Sequence, residues 1–552
     1  MAKAMTVGRY LVQRLEQRGL KHVFGVPGDY VLGFYDLLEA SSMKVVGTCT
    51  EAGASFAADA YARVHGLGAV CVTYCVGGLN TVNAVAGAYA EKSPLIVLSG
   101  APGLDERVRM PLLHHRVRNF NTQRRIFDEL TVASAALEDP ARAPGQIDDV
   151  LAACVRQKRP VYLELPRDMV SRPCARPGPL PPDPPLRDPS AAREALDEAA
   201  AMLRAARRPV VLAGVEIHRF GLQDSLLRLI ERTGYPVAAT LLGKSVISER
   251  HPNYLGVYEG AMGREPVRHA VEASDCVLIL GAFMTDINLG IYTAHLDPAR
   301  TIHATSERVA IKHHHFEGVP LRDFIHGLIR GHLGRTRKTP APPRPAEKPF
   351  RPRPRRAVTV RRLFARMNDF LQDDDVVICD IGDSLFGAAD LVIHRRTEFL
   401  SPAYYTSMGF SVPAAIGAQI RRRRSRPIVF VGDGAFQMTG QELSTVARNG
   451  LNPIVLVLNN KGYTTERFIN EGPYNDIHDW AYHRLPEVLR AGWGCEVRTE
   501  GELEAALAGA RANTRSFSIV NIHLAPMDCS DALARLGRRL GRRVSAAKSK
   551  TR

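Results

Sequence analysis

The residues with the clearest chemical meaning are a carboxylate and an amide that follow two apolar runs. Asp433 stands in a Gly-Asp-Gly tripeptide after the run 427–431, and Asn460 is the second of two asparagines after the run 453–458. These runs predict two strands joined by a helix, so both groups come at carboxyl strand ends, where a doubly wound sheet binds its ligands. Carboxylate and amide oxygens suit a hard divalent cation, and phosphates can complete its coordination. We expect a metal-held diphosphate here, approached closely at Gly434.

A second set of residues suits proton transfer. Glu51 opens the stretch 51–63, whose small residues predict a helix. A glutamate there is ordinarily a charge favoured by the helix dipole, but it can also lie against a ligand nitrogen. Asp29 and the adjacent His114 and His115 form a possible acid/base group, because imidazoles titrate near neutral pH and a carboxylate orients them.

Taken together, these motifs resemble the thiamin diphosphate-dependent enzymes. Glu466, at the end of the phrase 460–466, makes the sequence most similar to the 2-oxo acid decarboxylases related to pyruvate and indolepyruvate decarboxylase. The resemblance covers roughly residues 5–535. It implies an enzyme with thiamin diphosphate and Mg²⁺ as cofactors, in which the thiazolium acts as the electron sink for loss of carbon dioxide.

The resemblance also assigns roles to matching residues. Glu51 would protonate the aminopyrimidine, and Glu466 would act near the substrate carboxylate. The catalytic set is Glu51, Asp29, His114, His115 and Glu466. The cofactor-binding set is Glu51, Gly382, Asp383, Ser384, Thr406, Met408, Gly432, Asp433, Gly434 and Asn460. Asp433, Asn460 and the carbonyl of Gly462 would hold Mg²⁺, and Thr73, Thr465 and Ile469 would line the substrate pocket.

Two proline-rich segments, within 173–185 and 333–357, divide the chain. Apolar strand-like runs alternate with helical ones in each block between them, which predicts an α/β fold of three doubly wound parallel-sheet domains. By the resemblance, the blocks are a pyrimidine-binding domain at 1–172, a central domain at 188–333, a diphosphate-binding domain at 358–535 and a basic tail at 536–552. In the central block, His313, His314 and His315 are interpreted as a polar loop rather than a metal cluster.

The net charge of +16 is concentrated in 335–356, 421–424 and 538–552, and the sequence lacks a nucleic-acid-binding signature. We therefore expect no specific nucleic-acid partner. The sequence has no long apolar run, so we expect no membrane span and no membrane partner. The N-terminus lacks a signal-peptide core, so a cytoplasmic protein is expected. Nine scattered cysteines without a CxxC pair are interpreted as reduced core thiols.

The expected substrate is a small-molecule 2-oxo acid. Thr465 is small and leaves room beside Ile469, which favours an aromatic or long-chain acid such as phenylpyruvate or indole-3-pyruvate. Alternatives are a pyruvate decarboxylase, an acetolactate-synthase-type carboligase and a non-catalytic scaffold of the same fold. Because the family builds each site across two chains, the resemblance implies a homodimer or homotetramer with sites at the subunit interface.

Overall fold

The structure is a computed structural model that describes residues 4–180, 187–333, 349–394 and 398–537. Most of the second predicted linker, at 334–348, and all but two residues of the predicted basic tail lie outside these ranges. The described residues form three mainly parallel sheets with helices between their strands, which confirms the predicted fold class. No helix among them is long and apolar enough to cross a bilayer.

The first sheet is entirely parallel, with the order β2-β1-β3-β4-β6-β5. Its strands are β1 His22–Gly25, β2 Lys44–Gly47, β3 Gly68–Val72, β4 Leu95–Ala101, β5 Ser134–Ala136 and β6 Val161–Pro166. The helices of this segment are α1 Val7–Gln17, α2 Leu32–Glu39, α3 Glu51–His65, α4 Val82–Ala90, α5 Leu104–Arg107, α6 Thr122–Asp128 and α7 Ala143–Gln157. Strands β3 and β4 are buried along their whole length, as strands covered by helices on both faces must be.

The second sheet has the order β13-β12-β11-β10-β7-β8-β9, and β12 and β13 are antiparallel to their neighbours. Its strands are β7 Pro209–Ala213, β8 Val237–Ala239, β9 Tyr254–Val257, β10 Cys276–Leu280, β11 Thr301–Ala304, β12 Arg308–Ile311 and β13 His314–Glu317. Its helices are α8 Pro189–Ala205, α9 Glu216–Arg219, α10 Gln223–Thr233, α11 Glu265–Glu272 and α12 Leu321–Arg330. The polar-loop interpretation was wrong for His314 and His315, which pair with β12 in the exposed edge strand.

The third sheet is again parallel, with the order β15-β14-β16-β17-β19-β18. Its strands are β14 Asp375–Cys379, β15 Glu398–Leu400, β16 Arg426–Gly432, β17 Ile454–Asn459, β18 Trp493–Val497 and β19 Ser518–His523. Its helices are α13 Val360–Phe370, α14 Asp383–Ala388, α15 Ser411–Gln419, α16 Asp433–Thr439, α17 Leu443–Arg448, α18 Thr464–Ile469, α19 Leu485–Leu489 and α20 Glu500–Ala512.

The chain divides into two compact units. The first consists of Met1–Pro184, Gly409–Arg424 and Thr439–Leu451, and the second of Pro185–Met408, Ser425–Met438 and Asn452–Arg552. Helices α15 and α17 therefore belong to the same unit as the first sheet although they come late in the chain. In α15, a Cβ on Gly417 would lie 2.0 Å from the carbonyl oxygen of Ala57 in α3, so glycine is needed for this close helix contact.

Candidate active site

The second unit carries the predicted metal and diphosphate residues at the ends of β16 and β17. These strands are parallel neighbours, with Gly432 opposite Leu458, so Asp433 and Asn460 follow adjacent carboxyl ends. The buried Asp433 carboxylate accepts backbone N–H groups from Gly434 at 2.8 Å and Lys461 at 2.6 Å. Burial raises the pKa of Asp433 to about 6, although these N–H donors act in the opposite direction.

Asn460 supplies the best structural test of the metal prediction. Its side chain is 8% exposed, and its Oδ1 is buried without a hydrogen-bond partner. The amide nitrogen donates to Thr464 Oγ1 at 2.6 Å, which fixes the amide orientation. A buried acceptor without a donor costs about 1–3 kcal/mol, and a cation would offset that cost. The donor set of Asp433, Asn460 and the Gly462 carbonyl is all oxygen and fits Mg²⁺.

The three residues of the turn at 382–384 were all predicted to bind the cofactor, but their side chains have different surroundings in the structure. Gly382 has φ +82°, and Ser384 Oγ is buried without a partner, so its hydroxyl could meet a phosphate oxygen. Asp383 instead accepts the backbone N–H of Ser530 at 2.8 Å and also the Ser530 hydroxyl. Burial raises the pKa of Asp383 to about 6. Asp383 therefore fixes the start of the last described helix, at 531–537.

Helix α18 carries the predicted substrate residues of the second unit. Thr465 and Ile469 are half-buried and Glu466 is exposed. A Cβ on Gly382 would lie 3.4 Å from Thr465 Oγ1, so the structure brings the diphosphate turn and this helix together. Sequence reasoning missed Arg467, which is 7% exposed and donates to the carbonyls of Asn460 at 3.1 Å and Lys461 at 2.9 Å.

Two further residues predicted to bind the cofactor, Thr406 and Met408, lie in the loop before α15. Thr406 has φ +59°, a left-handed conformation that is costly for a β-branched residue and is often found at functional sites. Its N–H donates to the carbonyl of Pro402 at 2.8 Å, which stabilises the turn. Thr406 is exposed and Met408 is half-buried. These positions are compatible with contact to a ligand.

In the first unit, Glu51 is the first residue of α3, as the sequence predicts. Asn80 Nδ2 donates to Glu51 Oε2 at 2.7 Å. Glu442, which sequence reasoning missed, is fully buried and accepts the N–H groups of Cys49 at 3.1 Å and Thr50 at 3.0 Å. Glu442 therefore holds the chain that enters the helix at Glu51.

The first unit also assembles the predicted acid/base group. His114 Nε2 lies 2.7 Å from Asp29 Oδ2, and His115 Nε2 lies 3.9 Å from Asp29 Oδ1. The ring of Tyr30 stacks on that of His114, with centroids 4.7 Å apart. All three titratable side chains are partly exposed, at 41% for Asp29, 58% for His114 and 31% for His115. The arrangement leaves both imidazoles accessible for proton exchange.

Thr73 lies beside this acid/base group. It follows β3 and is 6% exposed, and its Oγ1 is buried without a hydrogen-bond partner. A Cβ on Gly28, the neighbour of Asp29, would lie 2.5 Å from Thr73 Cβ. The predicted pocket residue and the proton-handling residues of the first unit are thus in one place.

Comparison with known proteins agrees with this chemistry. Residues 5–123, 196–330 and 380–522 match the N-terminal TPP binding domain, the central domain and the C-terminal TPP binding domain of thiamine pyrophosphate enzymes. The chain belongs to the thiamine pyrophosphate enzymes, and thiamin diphosphate is its cofactor.

Relatives that match over nearly the whole chain show which kind of thiamine pyrophosphate enzyme this protein resembles. Indole-3-pyruvate decarboxylase of Azospirillum brasilense is 38% identical over 96% of this chain and 97% of its own length. A probable pyruvate decarboxylase of Schizosaccharomyces pombe is 33% identical, over 97% and 96%. An alpha-keto-acid decarboxylase of Mycobacterium bovis is 36% identical, over 96% of each chain. The protein is an enzyme of the thiamin diphosphate-dependent 2-oxo acid decarboxylase family.

Proposed function

We propose that this enzyme converts an aromatic or long-chain 2-oxo acid to the aldehyde and carbon dioxide without oxidation. The observation that carries the proposal is the Asp29–His114 contact of 2.7 Å, with His115 beside it. An accessible imidazole held by a carboxylate can deliver the proton that replaces the lost carboxyl group. The names of the full-length relatives support the same reaction.

Thiamin diphosphate, when bound, supplies the electron sink for the bond cleavage. Asp433, Asn460 and the Gly462 carbonyl would hold Mg²⁺, and the unpartnered Asn460 Oδ1 is the observation that supports this assignment. The turn from Gly382 to Ser384 would meet the diphosphate through backbone N–H groups and the Ser384 hydroxyl.

The remaining cofactor and substrate contacts are proposed from positions in the fold. Glu51, oriented by Asn80, would exchange a proton with a ring nitrogen of the cofactor. Thr406 and Met408 would contact the cofactor rings, and Glu466 on α18 would lie near the substrate carboxylate.

The substrate preference is proposed from the size of the side chains on α18. Thr465 and Ile469 are half-buried, and Thr465 is small enough to leave space for a large acyl group. Thr73, whose hydroxyl is buried and unpartnered, is proposed as a polar residue that contacts the substrate. The Azospirillum relative, named for indole-3-pyruvate, supports an aromatic substrate.

A comparison of kcat/KM for phenylpyruvate, indole-3-pyruvate, a branched 2-oxo acid and pyruvate tests this preference. We expect the aromatic acids to lead. Thr465→Leu should lower kcat/KM for indole-3-pyruvate by about tenfold while leaving pyruvate, the internal control, little changed, because added bulk excludes the larger acid. Pyruvate leading in the wild-type enzyme, or an equal effect of the substitution on both acids, would overturn the proposal.

We also propose a homodimer or homotetramer and a cytoplasmic location. The three segments 1–172, 188–333 and 358–535 are proposed as its domains, since each contains one of the three sheets. All nine cysteines are free and several are buried, which supports a reducing compartment.

A further inference from the structure

The second unit contains a cavity of about 590 Å³. None of the residues assigned to the reaction lines this cavity. Strand β9 and the turn after it line one side, and α13 and the helical residues 531–535 line another. Its volume lies within the range of roughly 300–1,000 Å³ that is usual for small-molecule sites. Apolar contacts come from Leu255, Val257 and Phe364.

Glu259 gives this cavity an unmet requirement for a hydrogen-bond donor. The residue is 2% exposed, and its Oε1 is buried without a hydrogen-bond partner. Glu259 lines the cavity together with Asp390, Arg535 and Lys244, the charged groups that most affect it. Burial, reinforced by Asp390, raises the pKa of Glu259 to about 7.

The neighbouring lysine does not meet that requirement. Lys244 Nζ lies 2.8 Å from both carboxylate oxygens of Glu249, 3.1 Å from the carbonyl oxygen of Ala389 and 2.6 Å from that of Leu391. An ammonium group has three protons to donate, so these acceptors use its capacity. A ligand that satisfies Glu259 must therefore bring its own donor.

The cavity is also lined by positively charged side chains. Arg264, Arg361 and Arg535 line it. Arg535 Nε donates to the carbonyl of Met262, and Arg361 lies 3.8 Å from the exposed Asp531. Guanidinium groups can bind a carboxylate through two parallel hydrogen bonds. Among the residues that the structure describes, the cavity has no group of three ligand atoms close enough for a metal ion.

We propose that this cavity binds a small α-amino acid with an apolar side chain. The ammonium group pairs with Glu259, the carboxylate pairs with the arginines, and the side chain packs against Phe364 and Val257. This inference does not depend on the reaction that the enzyme catalyses, since none of these residues belongs to the assigned catalytic or cofactor set.

Calorimetric titration of the enzyme loaded with thiamin diphosphate and Mg²⁺ tests the proposal. The probes are L-phenylalanine, L-leucine and L-tryptophan, compared with phenethylamine and 3-phenylpropanoate, which each lack one charged group. We expect saturable binding of at least one amino acid and about tenfold weaker binding of the analogues. Failure of all three amino acids to bind overturns the proposal.

Substitutions of residues that line the cavity test whether the amino acid binds there. Glu259→Gln should weaken amino-acid binding about tenfold while kcat/KM for the 2-oxo acid stays unchanged. Glu265→Gln makes the same chemical change on a side chain that is 71% exposed and outside the cavity, and it should bind like wild type. Arg264→Gln tests the carboxylate side and serves alone if Glu259→Gln does not fold.

The active site supplies the remaining control. Glu51→Gln should retain amino-acid binding, because Glu51 does not line the cavity. The proposal is overturned if Glu259→Gln and Arg264→Gln bind as tightly as wild type, or if Glu51→Gln alone loses binding. Because the readout is binding rather than turnover, failure here is distinguishable from failure of the proposed reaction.

Discussion

Asp29 and His114 are separated by 85 positions in the sequence, yet their side chains lie 2.7 Å apart. Tyr30 stacks on the same imidazole and restricts the ring. The hydrogen bond sets which imidazole nitrogen carries a proton, and that choice decides whether the group can donate to a substrate carbon. Because Asp29 is 41% exposed, its substitution should affect the proposed proton transfer more than the fold.

Asp29→Asn is predicted to lower kcat by about 10²–10⁴-fold, the usual contribution of a positioned acid/base group. The affinity for thiamin diphosphate should be unchanged, because Asp29 is not among the residues predicted to hold the diphosphate or its Mg²⁺. Steady-state kinetics and a cofactor titration measure the two quantities. Asp105→Asn, at an aspartate that is 85% exposed, is the matched control and should keep full activity. An unchanged kcat for Asp29→Asn would contradict the assignment.

At the scale of single elements, Glu442 determines how α3 begins. It accepts two backbone N–H groups just before the helix, and a Cβ on Gly53 would lie 2.1 Å from Glu442 Oε1. The fully buried glutamate thus packs directly against the first turn, which carries Glu51. A displaced first turn would move the Glu51 carboxylate.

Glu442→Ala is predicted to lower both the melting temperature and kcat. Two partly buried N–H groups would lose their acceptor, at up to about 1–3 kcal/mol each. Glu502 is the matched control, because it also accepts the N–H groups before a helix, those of Arg498 at 2.7 Å and Thr499 at 2.9 Å. Glu502→Ala should lower the melting temperature and leave kcat unchanged. Equal loss of kcat in both variants would show that Glu442 acts through stability alone.

The positions of many helices and strands could be predicted from the sequence. Strands β16 and β17 agree with their apolar runs to within a residue, and Glu51 begins its helix as expected. Apolar runs and turn residues report local structure, so these features are readable from short segments. The acid/base group was predicted from its residue types and supported by a family resemblance, and the structure adds its geometry.

Other contacts could not be read from the chain. Glu442 and Thr50 are 392 positions apart, and Asp383 and Ser530 are 147 apart. No local periodicity indicates such partners, because they are chosen by tertiary packing. The histidines of β13 were misread for a related reason, since a short polar strand becomes stable only by pairing with β12.

At the scale of the whole molecule, the second unit buries the carboxyl group of Glu259, which lies after β9 and lines the same cavity as α13. The Glu259 pKa of about 7 in the folded protein exceeds its ordinary value of 4.5. Above pH 7 the group is ionised in both the folded and unfolded states, and burial then penalises the folded state. Near pH 5 the folded protein binds the proton and most of that penalty disappears.

Glu259→Gln is therefore predicted to raise the melting temperature of the ligand-free protein at pH 8, and to raise it less at pH 5. Thermal unfolding at the two pH values measures the difference, with Glu265→Gln as the exposed control. An increase that is larger at pH 5 than at pH 8 would contradict the direction of the pKa shift.

Release of carbon dioxide from a 2-oxo acid is the reaction that the site described above is proposed to carry out. The most direct test measures carbon dioxide and aldehyde together, using purified protein with thiamin diphosphate, Mg²⁺ and phenylpyruvate, beside Glu51→Gln. We predict equal amounts of the two products, dependence on the cofactor and loss of turnover in the variant. Cofactor binding without release of carbon dioxide from any 2-oxo acid, or acetolactate as the product from pyruvate, would contradict it.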